Sequence, residues 1–195
     1  ISLEAEVLKA EETIPATLKL IPYYAWNNRG DNMTMNVWFA KDAETALQGI
    51  THTVGNVADV HATHTFSGDE VYAIADGKLP KESRDGSIPR WTSWSQKGVK
   101  QQVEIKLKKE QPIESVSVYW YDDKGGVQLP VSWEMEYHTN GQWHPFKLYV
   151  TDNYGIQPDQ FNMVHPAEPI QADAIRLNIQ PQKEATVGIL EVTIE

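Results

Sequence analysis

The sequence predicts an all-β fold built as an antiparallel sandwich. Three observations predict it. Short runs in which apolar and polar residues alternate recur from residue 103 to the C-terminus. Turn-forming pairs separate them, at Asp76-Gly77, Asp85-Gly86, Gly125-Gly126 and Asn140-Gly141, with Asn153-Tyr-Gly155 as a further loop. No segment carries a long apolar stripe of helical period, so little helix is expected.

The elements follow in chain order. Ile1, Leu3, Ala5 and Val7 alternate with Ser2, Glu4 and Glu6 as in a half-buried strand. Leu18–Tyr24 reads as a second strand, with Pro22 favouring its edge or end. Met33, Met35, Val37 and Phe39 alternate in a third, after the turn chemistry of Asn27–Asp31. The small, polar stretch from Ala40 to Gly55 reads as a linker. Beyond it, Val103, Ile105 and Leu107 mark one strand, and Val116, Val118 and Trp120 another. Val131, Trp133, Met135 and Tyr137 form the cleanest alternation in the chain. Asn140-Gly141 then supplies a tight hairpin turn before Trp143. Ile175, Leu177 and Ile179 make a further strand, and Leu190, Val192 and Ile194 the last.

Composition bounds the function. The 195 residues amount to one domain and a fraction, at roughly 150 residues per domain. Seventeen Lys and Arg against 27 Asp and Glu leave a formal net charge of −10, which argues against a nucleic-acid or anionic membrane partner. Cysteine is absent, which excludes disulfides, thiolate metal sites and cysteine nucleophiles within this chain. The apolar stretches are too short to span a bilayer as a helix, and no signal peptide is visible.

Two stretches carry a family resemblance. Ile21-Pro-Tyr-Tyr-Ala-Trp-Asn-Asn-Arg-Gly30, with the strand Met33–Phe39, resembles the closing strands of the β-sandwich in glycoside hydrolase family 127, the β-L-arabinofuranosidase-like enzymes. Residues 56–195 resemble the discoidin, or coagulation factor 5/8 type C, module. The matching order is Ala75-Asp-Gly77, Pro89-Arg-Trp-Thr-Ser-Trp94, Gln102–Leu107, Ile113–Trp120, Ser132–Tyr137, Asn140-Gly-Gln-Trp143 and Gly188–Val192. The second resemblance implies a galactose-binding-like jelly roll. Together they imply residues 1–40 as strands of a preceding β-sandwich, 41–55 as linker and 56–195 as the module. The implied parent has an (α/α)6 catalytic barrel with a cysteine nucleophile beside zinc, and this chain, short and without cysteine, carries none of it.

The resemblance implies a non-catalytic accessory module that binds carbohydrate weakly through loops at one rim, attached in cis to the parent's catalytic domain and working in the periplasm or outside the cell. One alternative is a purely structural brace for the barrel, which would leave apolar patches near Tyr23, Tyr24 and Trp26. The other is an independent glycosidase. Asp122 and Asp123 do not supply a catalytic pair, since neighbours in extended chain point opposite ways.

The resemblance also implies a structural calcium ion, with Asp76 and Glu191 as ligands by order and Ser83 or Ser87 as a further oxygen. The plain alternative makes Asp76 a turn former and Glu191 a solvent-facing strand residue. For sugar contact the candidates are Trp94 and Tyr121, whose rings stand at loop edges, with His64, Arg90 and Asp122 as polar partners. Trp91 and Trp133 read as core. His61 and His64, three apart in extended chain, face opposite ways and favour no metal.

Overall fold

The computed structural model describes residues 53–195. The expected strands at Ile1–Val7, Leu18–Tyr24 and Met33–Phe39, the linker up to residue 52, and the surroundings of Tyr23, Tyr24 and Trp26 lie outside the described residues. His52–Glu195 forms a compact unit of its own.

Nine strands make up the described unit. They are β1 (Val57–Ala62), β2 (Trp91–Thr92), β3 (Gln101–Ile113), β4 (Val116–Tyr121), β5 (Ser132–Thr139), β6 (Gln142–Pro145), β7 (Phe161–Val164), β8 (Ile170–Gln180) and β9 (Gly188–Ile194). One short 3-10 helix, Val71–Ala75, is the only helical element among the described residues. The strands form a five-stranded sheet ordered β1-β3-β8-β5-β6 and a four-stranded sheet ordered β2-β9-β4-β7, and every strand pair in both sheets is antiparallel. The all-β antiparallel expectation therefore holds.

The period-2 pattern explains the core. On β3, Val103, Ile105 and Leu107 face inward; Ile175, Leu177 and Ile179 do so on β8, and Trp133 and Met135 on β5. They pack against Val118, Trp120, Ile189 and Val192 from the other sheet to form one apolar core. The Asn140-Gly141 pair closes the β5–β6 hairpin with both residues at positive φ, 51° and 76°, as the tightest hairpin turn requires.

Two expectations from alternation fail. All six residues of β4 are buried, including Ser117 and Tyr119, which alternate with Val116, Val118 and Trp120 and so would fall on its polar side. The outer face of the four-stranded sheet is covered: Tyr119, Tyr121, Val127 and Leu190 form a second apolar cluster with Ile88 and Phe161 packed on it. Leu190 is an extra residue on β9, because the β4 register steps from Glu191 to Ile189 across it. Val131 lies outside β5 and is 59% exposed; Pro130 precedes it, and its backbone N–H still bonds to the carbonyl of Gln180.

Thr53 and Val54 belong to this unit. The Thr53 hydroxyl donates to the Val57 carbonyl at 3.0 Å, and the Val54 N–H donates to the Ala75 carbonyl at 2.9 Å.

Ile175 is fully buried on a strand with a neighbour on each side, so Ile175→Ala should cost about 2–5 kcal/mol in denaturant unfolding. Val150, 88% exposed, serves as the control: Val150→Ala should stay within about 0.5 kcal/mol.

Candidate functional site

Four loops meet at one end of the sandwich and are joined mainly through backbone. In the loop after β9's partner β2, Ser93 N–H bonds to the Val187 carbonyl at 2.9 Å, and Gly98 N–H bonds to the Ala185 carbonyl at 3.0 Å. The β4–β5 loop joins the same segment: Thr186 N–H donates to the Gly126 carbonyl at 2.9 Å and Gln128 N–H to the Thr186 carbonyl at 3.0 Å. The loop after β1 is tied in by Phe66 N–H on the Thr92 carbonyl at 3.1 Å. Every backbone group so used is satisfied without a solvent partner.

Trp94 and His64 stand together on this rim. The Trp94 side chain is 37% exposed and lies against Gly126; a Cβ on Gly126 would fall 2.2 Å from its ring. Only glycine permits that approach. His64 Nε2 is 2.8 Å from the Trp94 carbonyl. A carbonyl only accepts, so Nε2 carries a hydrogen, and in the neutral ring Nδ1 is left as an acceptor. Below them Trp91 is fully buried, with its indole N–H donating to the His64 carbonyl at 3.0 Å. The core tryptophan thus holds the backbone from which the half-buried histidine projects.

Arg90 and Tyr121 form a separate pair. The Arg90 guanidinium carbon sits 4.6 Å from the centre of the Tyr121 ring. Arg90 Nε is buried without a hydrogen-bond partner, 3.7 Å from Asp69 Oδ1. Asp69 also accepts from the Thr92 hydroxyl at 2.5 Å. Burial pushes the Asp69 carboxyl up, and the Thr92 and Arg90 contacts oppose it. Burial likewise pushes the Tyr121 hydroxyl up, against the pull of Arg90.

A third arrangement lies on the covered face of the four-stranded sheet. Glu191 is 3% exposed, and its Oε2 has no hydrogen-bond partner. Burial raises its carboxyl to about 8; the nearby Asp76 charge adds to the rise, while the Gly77 N–H and Lys78 oppose it. Asp76 accepts from the Lys78 N–H at 2.9 Å and meets the Lys78 ammonium at 2.8 Å. The Asp76 charge is thus near enough to raise Glu191, and Lys78, more than half exposed, opposes it.

The sequence of this sandwich matches a known family model. Residues 59–192 match the F5/8 type C domain. The chain belongs to that family. Residues 2–40 match the glycoside hydrolase family 127 C-terminal domain, and neither match is to a catalytic domain. Among solved structures, this chain is similar to one from a study of the Streptococcus pneumoniae β-galactosidase BgaA, at 17% identity and a TM-score of 0.60, covering 72% of this chain and 97% of that one. It is also similar to the family 32 carbohydrate-binding module of Clostridium perfringens NanJ, solved with galactose, at 17% identity and a TM-score of 0.55, covering 70% of this chain and 91% of the other. A further Clostridium perfringens module, solved with GalNAc-β-1,3-galactose, matches at 10% identity and a TM-score of 0.54, covering 70% and 93%. These likenesses establish a shared fold.

The structure sorts the expected site residues. It brings Trp94 and His64 together on the rim. Tyr121, read as surface-facing, is 7% exposed, because the loop that carries Ile88 covers its face of the sheet. Asp122 is 6% exposed, and its carboxylate is taken by the Lys124 N–H at 2.8 Å and the Lys124 ammonium at 3.1 Å. It is a turn former, as is Asp123, whose Oδ1 accepts from Gly125 and Val127. Arg90 is spent on Tyr121 and Asp69. Both expected third calcium ligands are engaged elsewhere: Ser83 exchanges hydrogen bonds with Asp159, and the Ser87 hydroxyl donates to Asp85 at 2.5 Å. Trp91 and Trp133 are core, as read. Gly126 was read only as a turn marker; its role as the seat of Trp94 has no sequence signal beyond the glycine itself. Asp69 was missed, since nothing local ties it to Arg90.

The buried Glu191 yields a pH prediction. Its folded value is raised above its ordinary 4.5, so the native state holds the proton more tightly than the unfolded chain. With a chelator present, the stability it contributes is complete below about pH 4.5 and is lost as pH rises to about 8. Thermal unfolding of Glu191→Gln should lack this decline.

Proposed function

We propose that the protein is a non-catalytic, carbohydrate-binding accessory part of a glycoside hydrolase, and that its rim takes a neutral terminal sugar. The carrying observation is Trp94, an exposed indole seated on Gly126 beside His64. The apolar C–H face of a sugar ring stacks on such an indole, and His64 Nδ1 accepts from a sugar hydroxyl. The solved modules with galactose and with GalNAc-β-1,3-galactose support galactose-type sugars as the first ligands to try. One stacked ring and a few hydrogen bonds give weak affinity, on the order of millimolar. Tethering converts such weak contact into a raised effective concentration for a catalytic domain in the same chain. The family 127 match over residues 2–40 supports a parent enzyme of that kind. Its substrate then lies outside the cytoplasm, in the periplasm or beyond.

The reading includes a structural calcium ion. The orphaned Glu191 Oε2 and the nearby Asp76 carboxylate suit a hard divalent cation, which would neutralise both. Among the described residues no cluster of three or more acidic or histidine side chains gathers, so backbone carbonyls complete the set. The ion would fix the loop after the 3-10 helix onto β9 and leave the rim chemistry to Trp94 and His64.

Titration of the full chain with galactose and galactose-terminated oligosaccharides tests the first part. Trp94→Ala should weaken binding at least about tenfold with an unchanged circular dichroism spectrum. Absence of binding to every neutral sugar tried would sink the reading. For the second part, millimolar calcium should raise the melting temperature at pH 8, and Asp76→Asn and Glu191→Gln should each abolish the rise.

A further inference from the structure

The outward face of the five-stranded sheet carries interlocked polar side chains in rows across the strands. Thr63, Gln102, Asn178 and Glu134 form one row, since Gln102 is opposite Asn178 and Asn178 is opposite Glu134. His61, Glu104, Arg176 and Glu136 form the next. Their side chains hold one another in place. Gln102 Nε2 donates to Asn178 Oδ1 at 2.8 Å, and Asn178 Nδ2 donates to Glu136 Oε2 at 3.0 Å. Arg176 lies between Glu104 at 3.2 Å and Glu136 at 3.5 Å, and its guanidinium stacks on the Trp143 ring with its carbon 3.7 Å from the centroid.

This face is not flat. A groove of about 610 Å³ runs over it, between Thr63 with Gln102 on one side and Ser132 with Glu134 on the other, with Asn178 and Gln180 as its floor. At its end the groove meets the rim. Thr63 precedes His64 in the chain, and Gln180 Nε2 donates to the carbonyl of Gly98, in the loop that carries Trp94.

We infer that this groove is a second glycan subsite, which takes the neutral sugar residues of a chain whose end sits at the Trp94 rim. The inference rests on the reading of the module as a glycan binder and extends it from a terminal sugar to an extended oligosaccharide. Three features select that ligand. First, the row from β1 to β5 crosses three strand spacings, about 14 Å, a span that suits several linked rings. Second, amides and carboxylates held by mutual hydrogen bonds pair with vicinal hydroxyls, which both donate and accept, without the entropy loss of ordering free side chains. Third, the charges balance locally. Arg176, beside the groove, is neutralised between Glu104 and Glu136. Among the described residues that line the groove Lys100 is the single cation, with Glu134 in the same lining, so there is no cation cluster to hold a polyuronate.

The test compares galactose with β-1,4-galactan, arabinan and xylan oligosaccharides of two and six residues, and with polygalacturonate, on the full chain by calorimetry. The best neutral hexasaccharide should bind at least about tenfold more tightly than its disaccharide, and polygalacturonate should not bind. Asn178→Ala and Gln102→Ala should each remove most of that gain while leaving monosaccharide affinity unchanged. Side-chain amide signals of Gln102 and Asn178 in NMR spectra of the unsubstituted chain should shift with hexasaccharide and stay put with galactose. Equal affinity for disaccharide and hexasaccharide, or unmoved amide signals, would overturn the groove and leave the rim standing. If no neutral sugar binds at all, the rim reading falls, and the groove falls with it.

Discussion

The carbonyl oxygen of Gly155 holds the two sheets in register. The Trp133 indole on β5 donates to it at 2.8 Å, and the Trp120 indole on β4 donates at 3.3 Å. The strands belong to opposite sheets, so one oxygen with two lone pairs bridges the sandwich. The rings meet edge to face at 5.5 Å, and Tyr154 packs on Trp133 at 4.8 Å. Large indoles fill a core well only where their N–H finds an acceptor, and this loop supplies it. The loop is held in turn by Asn162, whose buried amide donates to the carbonyls of Val118, Gln157 and Gln160 and accepts from Gln157 N–H. A Cβ on Gly155 would fall 2.7 Å from Asn162 Oδ1, so the residue that presents the shared oxygen is glycine.

With the sheets pinned in this way, their two outer faces take different roles. The four-stranded sheet is roofed by the chain between the 3-10 helix and β2, which packs Ile88 on Tyr119 and Tyr121 and encloses Glu191. Among the described residues, the outer face of the five-stranded sheet is uncovered and polar. The exposed ring of Trp94 and the half-buried ring of Trp143 stand off the covered face, one at the loop end and one beside Arg176. The same contrast explains why Arg90 and Asp122 are unavailable to a ligand: both lie among buried groups and hold the roof or its adjoining turn.

Much of the fold was legible because period-2 alternation reports burial on one face. It read β3, β5, β8 and β9 from Val103, Trp133, Ile175 and Val192. It failed on β4, where both faces are buried and polarity no longer tracks exposure. Tyr121 was misread for the same reason: a ring next to a loop looks exposed until a distant segment is known to cover it. In the candidate site, Trp94 and His64 were legible as an aromatic and a polar group in loops. Their meeting was not, because it depends on a contact between the His64 ring and the main-chain carbonyl of Trp94, 30 residues away in sequence. Nor did the sequence reveal that Gln102, Asn178 and Glu136 interlock, since that follows from strand order, and β3, β8 and β5 are adjacent only in space.

The rim loops are joined to one another chiefly through main-chain groups: Ser93 to Val187, Gly98 to Ala185, Thr186 to Gly126 and Gln128 to Thr186. Amide and carbonyl groups are common to nearly all residue types, so this architecture is nearly indifferent to which side chains the loops display. On the proposed reading, recognition can therefore be rewritten residue by residue at positions 64 and 94, and one scaffold retuned from one sugar to another with its frame intact. The exceptions are Gly126, whose lack of a side chain seats Trp94, and Gly98, held at a φ of 67° with the Lys183 carbonyl 2.9 Å from where a Cβ would lie.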